Sequence, residues 1–207
     1  QGLRKIAEAS RVQIVSGVAL YEYNTWPDWA RRAEADKIAE FFVVEMERGT
    51  DGVRAGVIGE IASHNADSSD PRVYRLHEHE ERLFRAAALA QQRTGAGIIT
   101  HASIGRGGHA QLNCLEKAGA NPARVAIGHC DAHWHADIEQ DLAYYLPLLN
   151  RGAFCEFDLI GWSELAPDDV RADRVAALVQ LGYAAQILLS TDTCRRSQLH
   201  AQGGRGF

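Results

Sequence analysis

Three apolar runs in this 207-residue chain end in a residue able to bind a metal ion: Val57-Ile58-Gly59-Glu60, Gly97-Ile98-Ile99-Thr100-His101 and Val125-Ala126-Ile127-Gly128-His129. A fourth, Ile187-Leu188-Leu189-Ser190-Thr191-Asp192, ends in an aspartate. A short run that is apolar throughout reads as a strand buried on both faces, which is a property of parallel sheets. Enzymes built on such sheets gather their chemistry at the carboxyl ends of the strands. One carboxylate, two imidazoles and a second carboxylate are therefore predicted to converge on a cation.

The rest of the chain supports a parallel α/β architecture. Strand-like stretches at 12–17, 55–61, 97–101, 125–129, 153–158 and 187–192 alternate with helical patterns at 30–48, 73–93, 111–118, 138–149 and 170–181, and a further short helix is predicted over 3–9. Gly49, Gly52, Gly95, Gly119, Gly152 and Gly182 mark the returns, as helix ends and tight turns require. Six βα units fit either an open doubly wound sheet or a barrel. The ligand placement decides for the barrel: an open sheet would spread four strand ends along a line, whereas a closed one aims them at a single mouth. A full eight-unit barrel takes about 250 residues, so the expectation is an incomplete TIM (β/α)8 barrel forming one domain over 1–207.

Composition narrows the partners. With 46% hydrophobic and 24% charged residues the chain can bury a large core. Its formal net charge of -5, without any long basic run, argues against nucleic acid and against an anionic membrane surface. No apolar run reaches the roughly 18 residues of a membrane span, and Gln1-Gly2-Leu3-Arg4-Lys5 lacks the apolar core of a secretory signal, so a cytoplasmic setting is expected. Cys114, Cys130, Cys155 and Cys194 have neither close pairs nor zinc-ligand spacing and read as free thiols.

Several stretches resemble the phosphotriesterase-related family of the amidohydrolase superfamily: Arg54-Ala55-Gly56-Val57-Ile58-Gly59-Glu60-Ile61, Thr100-His101-Ala102-Ser103, Arg124-Val125-Ala126-Ile127-Gly128-His129-Cys130-Asp131, Gly152-Ala153-Phe154-Cys155-Glu156-Phe157-Asp158 and Leu189-Ser190-Thr191-Asp192. The tail Arg195 to His200 with Gly203-Gly204-Arg205-Gly206 looks like that family's loop after the eighth strand. The resemblance implies strands 3 to 8 of a barrel, without the first two strands and the last helix, and a centre of two divalent ions. Zinc leads; manganese, cobalt and iron also suit histidine with carboxylate. Carried over, Glu60 bridges the metals, His101 and His129 hold one, and Asp192 holds the other and accepts the proton. The implied reaction is hydrolysis of a small ester, lactone or phosphoester by a hydroxide bridging the ions. True phosphotriesterases bridge with a carboxylated lysine; Glu60 stands there in this chain, as in the homologous branch of that family.

The family's first strand also supplies a His-x-His pair. Here that spacing occurs only as His77-Glu78-His79, at the start of a charged helical pattern, and as His133-Trp134-His135, in the loop after the run that ends at His129. His133, Tyr21 and Arg195 are expected at the mouth, facing substrate. Asp131 is expected to orient an imidazole or to bond a neighbouring loop. Gly105-Arg106-Gly107-Gly108 lacks the lysine and hydroxyl of a P-loop and reads as a flexible mouth loop. Phe41, Phe42 and Met46, with Leu83, Phe84 and Ala87, read as helix faces packed on the barrel.

Each of the four main residues also has a structural reading. Glu60 pairs with an arginine, His101 caps a turn, His129 is a satisfied core histidine, and Asp192 caps a helix. A competing functional reading is a non-catalytic barrel that binds a small ligand or one metal. Unpaired edge strands also admit a homodimer.

Overall fold

A computed structural model describes residues 2–66, 73–102 and 106–206. Thirteen α and β elements follow one another as α1 (Gly2–Ser10), β1 (Gly17–Val18), α2 (Asp28–Arg32), α3 (Ala35–Glu47), β2 (Val57–Ser63), α4 (Glu78–Thr94), β3 (Gly97–Ala102), α5 (Gly108–Lys117), β4 (Val125–Ile127), α6 (Ile138–Asn150), β5 (Phe154–Phe157), α7 (Asp168–Gln180) and β6 (Ile187–Leu189). The six strands form one parallel sheet in the order β1-β2-β3-β4-β5-β6. Each strand lies beside its predecessor and the order never reverses, which is the winding of a TIM barrel and not of a doubly wound sheet.

The helices cover one face of this sheet. Phe42, Leu83, Phe84, Ala87, Leu112, Leu115, Tyr145 and Leu148 join Ile58, Ile98, Ile127, Cys155 and Phe157 in one buried core, with Phe41 and Met46 partly buried against it. The other face carries the candidate metal ligands. Cys130 and Cys155 are buried free thiols, and no described helix is long and apolar enough to cross a membrane.

Element ends depart from the sequence expectation where side chains compete for the backbone. The pattern over 73–93 becomes a helix only from Glu78, because the Glu80 carboxylate accepts the His77 backbone N–H (2.8 Å) and fixes the start there. Upstream, Asn65 accepts from Arg75 N and donates to Val73 O, holding 73–75 extended. The pattern over 30–48 breaks between α2 and α3: Arg82 donates to the Arg31 carbonyl (2.9 Å), and Glu34 is extended. The strand expected over 12–17 pairs only at Gly17 and Val18, leaving Val12 and Val15 exposed. The glycine stretch is a correction as well. Gly105 lies outside the described residues, but Gly107 caps α5 and Gly108 is its first residue. A Cβ on Gly108 would meet Ile127 Cγ2 at 2.6 Å and Tyr144 Oη at 2.7 Å, so this glycine serves close packing.

Candidate metal centre

Glu60 reaches the site through an irregularity in β2. Ile58 faces the helices, so strict alternation would bury Glu60 on that side too. Instead the pairing slips by one residue: Ile58 lies opposite Ile98, but Ile61 lies opposite Thr100. This one-residue bulge returns Ile61 to the fully buried helix side and turns Glu60 to the opposite face. His101 already points there, since Ile98, Thr100 and Ala102 are the buried alternates of β3.

His129 arrives by a tight turn after β4. Gly128 N donates to Thr100 O at 3.2 Å, and a Cβ on Gly128 would lie 2.1 Å from that oxygen, so glycine alone fits. His129 then takes a left-handed conformation (φ 54°), one of four such non-glycine residues among the described residues; Asp192 (φ 46°) is another. Strain of this kind is held by surrounding structure and gathers at functional sites. Here Asp158 holds it, accepting the His129 backbone N–H at 3.1–3.2 Å and facing ring Nδ1 at 2.8 Å. With Nδ1 facing Asp158, Nε2 is the ring nitrogen turned toward His101 and Glu60 and able to bind an ion.

Three donor atoms converge as a result. His129 Nε2 lies 2.6 Å from His101 Nδ1, and Glu60 Oε1 lies 3.7 Å and 3.8 Å from them. Glu60, His101 and His129 thus offer three ligand atoms within 4.8 Å of one another. Two nitrogens on one tetrahedral ion at about 2.1 Å sit about 3.4 Å apart, so a small opening of the two rings accommodates a divalent cation. The donor set fits the ion that the sequence implied.

The surrounding charge favours a cation. Glu156 shares the site face of β5 with Asp158, and burial, followed by the Asp158 and Glu60 carboxylates, pushes it up to about 7. Asp192 is raised by burial and by Glu60 and Asp158, while His129 and His101 pull it down. It feels the charges of the site without its carboxylate belonging to the group of three donors. The Trp162 indole anchors its turn by donating to Thr191 O at 3.0 Å. Tyr21 sets its hydroxyl 3.1–3.2 Å from the His101 ring nitrogens. Burial and Glu60 push its phenol far up, so the hydroxyl keeps its proton.

Burial lowers His129, yet the hydrogen bond and charge of Asp158, with Glu60 and Asp192, raise it to about 9 overall. A folded value above the ordinary 6.5 means that the imidazolium contributes stability fully below pH 6.5, and that this is lost as pH rises through about 9. The thermal midpoint of the metal-free chain is therefore expected to fall across that window, and Asp158→Asn is expected to flatten the fall. A midpoint indifferent to pH in the parent chain would contradict the pairing.

The imidazole-orienting carboxylate is thus Asp158, not Asp131. Asp131 does the other task expected of it, bonding a neighbouring loop: it accepts from Asp158 N (3.2 Å) and Leu159 N (3.1 Å), and Arg171 Nε at 2.6 Å neutralises it. The sequence signal for Asp158 was its alternation with Glu156 and Phe154 against the apolar Cys155 and Phe157.

His77 caps α4 and stacks on His79 (centroids 5.2 Å), which stacks on Tyr23 at 4.0 Å. Exposed His133 is held through its carbonyl by Arg106. His135 pairs with buried Asp141 at 2.8 Å, and Arg106 and Arg174 serve the same carboxylate. Arg195 is exposed, its backbone N–H donating to Gln198 Oε1.

Known proteins share this arrangement of chain. The phosphotriesterase homology protein of Escherichia coli K12 is 32% identical over 209 residues, covering all of this chain and 67% of that protein. A crystal structure of the Escherichia coli protein, described with phosphate in its active site, superposes with a TM-score of 0.85 at 31% identity, over 99% of this chain and 67% of that one. The lactonase Lmo2620 of Listeria monocytogenes superposes at 0.81 and 25% identity, covering 99% and 64%. An N-acetyltaurine hydrolase of Danio rerio is 27% identical over 220 residues, 99% of this chain and 58% of its own. The chain therefore spans between 58% and 67% of these relatives' length. The model of the phosphotriesterase family matches residues 1–207. With that match, the singly wound sheet and relatives above 30% identity, this chain belongs to the phosphotriesterase family.

Proposed function

We propose that this chain carries the strand-end machinery of a metal-dependent hydrolase for a small ester, lactone or phosphoester. The observation that supports it most is the convergence of Glu60, His101 and His129, with ligand atoms mutually within 4.8 Å at the carboxyl ends of three adjacent strands. Glu60, His101 and His129 would hold a divalent ion, zinc first among the candidates, with Asp192 beside a second. Bound there, such an ion polarises a carbonyl or phosphoryl oxygen and acidifies water.

The chain's own residues do the rest. Asp158 fixes the His129 ring and keeps Nε2 as the inward nitrogen. Asp192 takes up the proton; its raised affinity for protons, from burial and neighbouring carboxylates, makes its carboxylate the stronger base. Tyr21 holds its hydroxyl within hydrogen-bond distance of the His101 ring, at that edge of the site. His133 and Arg195 meet the substrate from the loops after β4 and β6. The phosphate in the Escherichia coli relative's site and the lactonase activity of the Listeria relative support oxygen esters as substrates. The Danio rerio relative's name extends the range to an amide.

The reading of a single-ion binder has its own observation, since three donors converge and Asp192 stands apart from them. Elemental analysis of the zinc-reconstituted chain, with a lactone and aryl phosphoester screen, separates the two. Hydrolysis with about two ions per chain supports the hydrolase. One ion without turnover supports the binder, and no retained ion overturns both.

A further inference from the structure

Behind the candidate centre, on the helix side of the sheet, lies a buried polar network in an otherwise apolar region. Ser63, Thr100 and Gln111 are all fully buried. Gln111, on α5, donates through Nε2 to the His101 carbonyl (3.0 Å) and to Ser63 Oγ (2.8 Å), and its Oε1 accepts from Thr100 Oγ1 at 2.8 Å. Ser63 Oγ in turn bonds Tyr74 Oη at 2.9 Å. The His101 carbonyl can only accept, so the amide's orientation is fixed and all three of its bonds follow from it.

These partners sit on the strands that carry the ligands. Ser63 ends β2, three residues past Glu60, and Thr100 and His101 directly precede Ala102, the last residue of β3. Between these two strands the ladder is broken by the bulge that turns Glu60 inward. A bulge leaves its extra residue unpaired and interrupts the ladder locally, and a buried amide bonded to both strands ties them together from the side. A network this buried also serves specificity more than stability, because a half-satisfied version costs more than an apolar one.

We infer that Gln111 is a positioning residue for the metal centre: by tying the end of β2 to the His101 backbone it sets the separation between the Glu60 carboxylate and the His101 ring. The inference rests on the metal reading above. Partners that orient ligands typically matter by about 10–100-fold in metal affinity.

The test is cobalt(II) titration of the metal-free chain, followed by the visible spectrum of the bound ion, for the parent, Gln111→Leu and Thr100→Val. Thr100→Val keeps the shape and removes only the hydroxyl that holds the amide, so it remains informative should Gln111→Leu fail to fold. The expected result is cobalt affinity weakened about tenfold or more and an altered spectrum in each variant that keeps its parent circular dichroism. Affinity and spectrum equal to the parent, with only the melting temperature lowered, would make the network a fold staple and overturn the inference. A parent chain that binds no cobalt would instead overturn the metal reading, and this inference with it.

Discussion

Replacing His129 with asparagine is expected to abolish metal retention while leaving the fold in place. Asparagine is among the residues that tolerate the left-handed backbone found at this position (φ 54°), and its backbone N–H still reaches Asp158. What disappears is Nε2, one of three converging donor atoms, and the ring that Asp158 orients at 2.8 Å. Changes outside the ligands themselves cost about 10–100-fold in metal affinity, so losing a ligand from a set of three should exceed the upper figure. Hydrolysis should fall in parallel. Alanine at the same position would add backbone strain to the loss of the ligand, which is why asparagine is the cleaner probe. Metal affinity within a few-fold of the parent, measured by competition with a chelating dye, would remove His129 from the site.

The second large effect is on stability. Asp131→Ala is expected to cost about 3 kcal/mol, the lower end of the range for stripping one partner from a buried ion pair. The two side chains are 2% and 4% exposed, so neither charge is relieved by water. The lower end applies because Arg171 keeps Ala166 O (2.6 Å), Trp162 O (3.2 Å) and the half-exposed Asp168 (2.7 Å). Two backbone donors, Asp158 N and Leu159 N, lose their acceptor at the same time. Urea unfolding measures the cost. Replacing the pair together, Asp131→Leu with Arg171→Met, should recover much of it, as apolar groups of similar size often replace buried pairs. A loss below about 1 kcal/mol for the single variant would place the stabilisation of this loop in the other bonds of Arg171 instead.

Much of the molecule was legible in the order of residues. Six apolar runs separated by amphipathic stretches gave six strands and the helices between them, because burial on both faces needs apolar residues at every position and helical burial needs a 3.6-residue period. Glycine returns such as Gly95 (φ 70°) and Gly152 (φ 94°) were legible for the same local reason: a left-handed residue after a helix costs glycine little. The identity of Glu60, His101 and His129 as neighbours also followed from chain order, since in a singly wound parallel sheet successive strand ends are adjacent in space.

What only the tertiary structure decided are the relations that depend on two distant segments at once. Period-2 alternation places Glu60 with Ile58 against the helices; the bulge that reverses it exists only in the pairing of β2 with β3. Asp158, 29 residues beyond His129, orients the ring that a carboxylate two residues away, Asp131, leaves alone. Gln111 looked like any polar residue on a helix until its three bonds placed it behind the His101 strand. Local sequence sets backbone preference and burial, whereas the direction of a side chain at a strand end is fixed by register. Register is settled by the contacts of the neighbouring strand and helix.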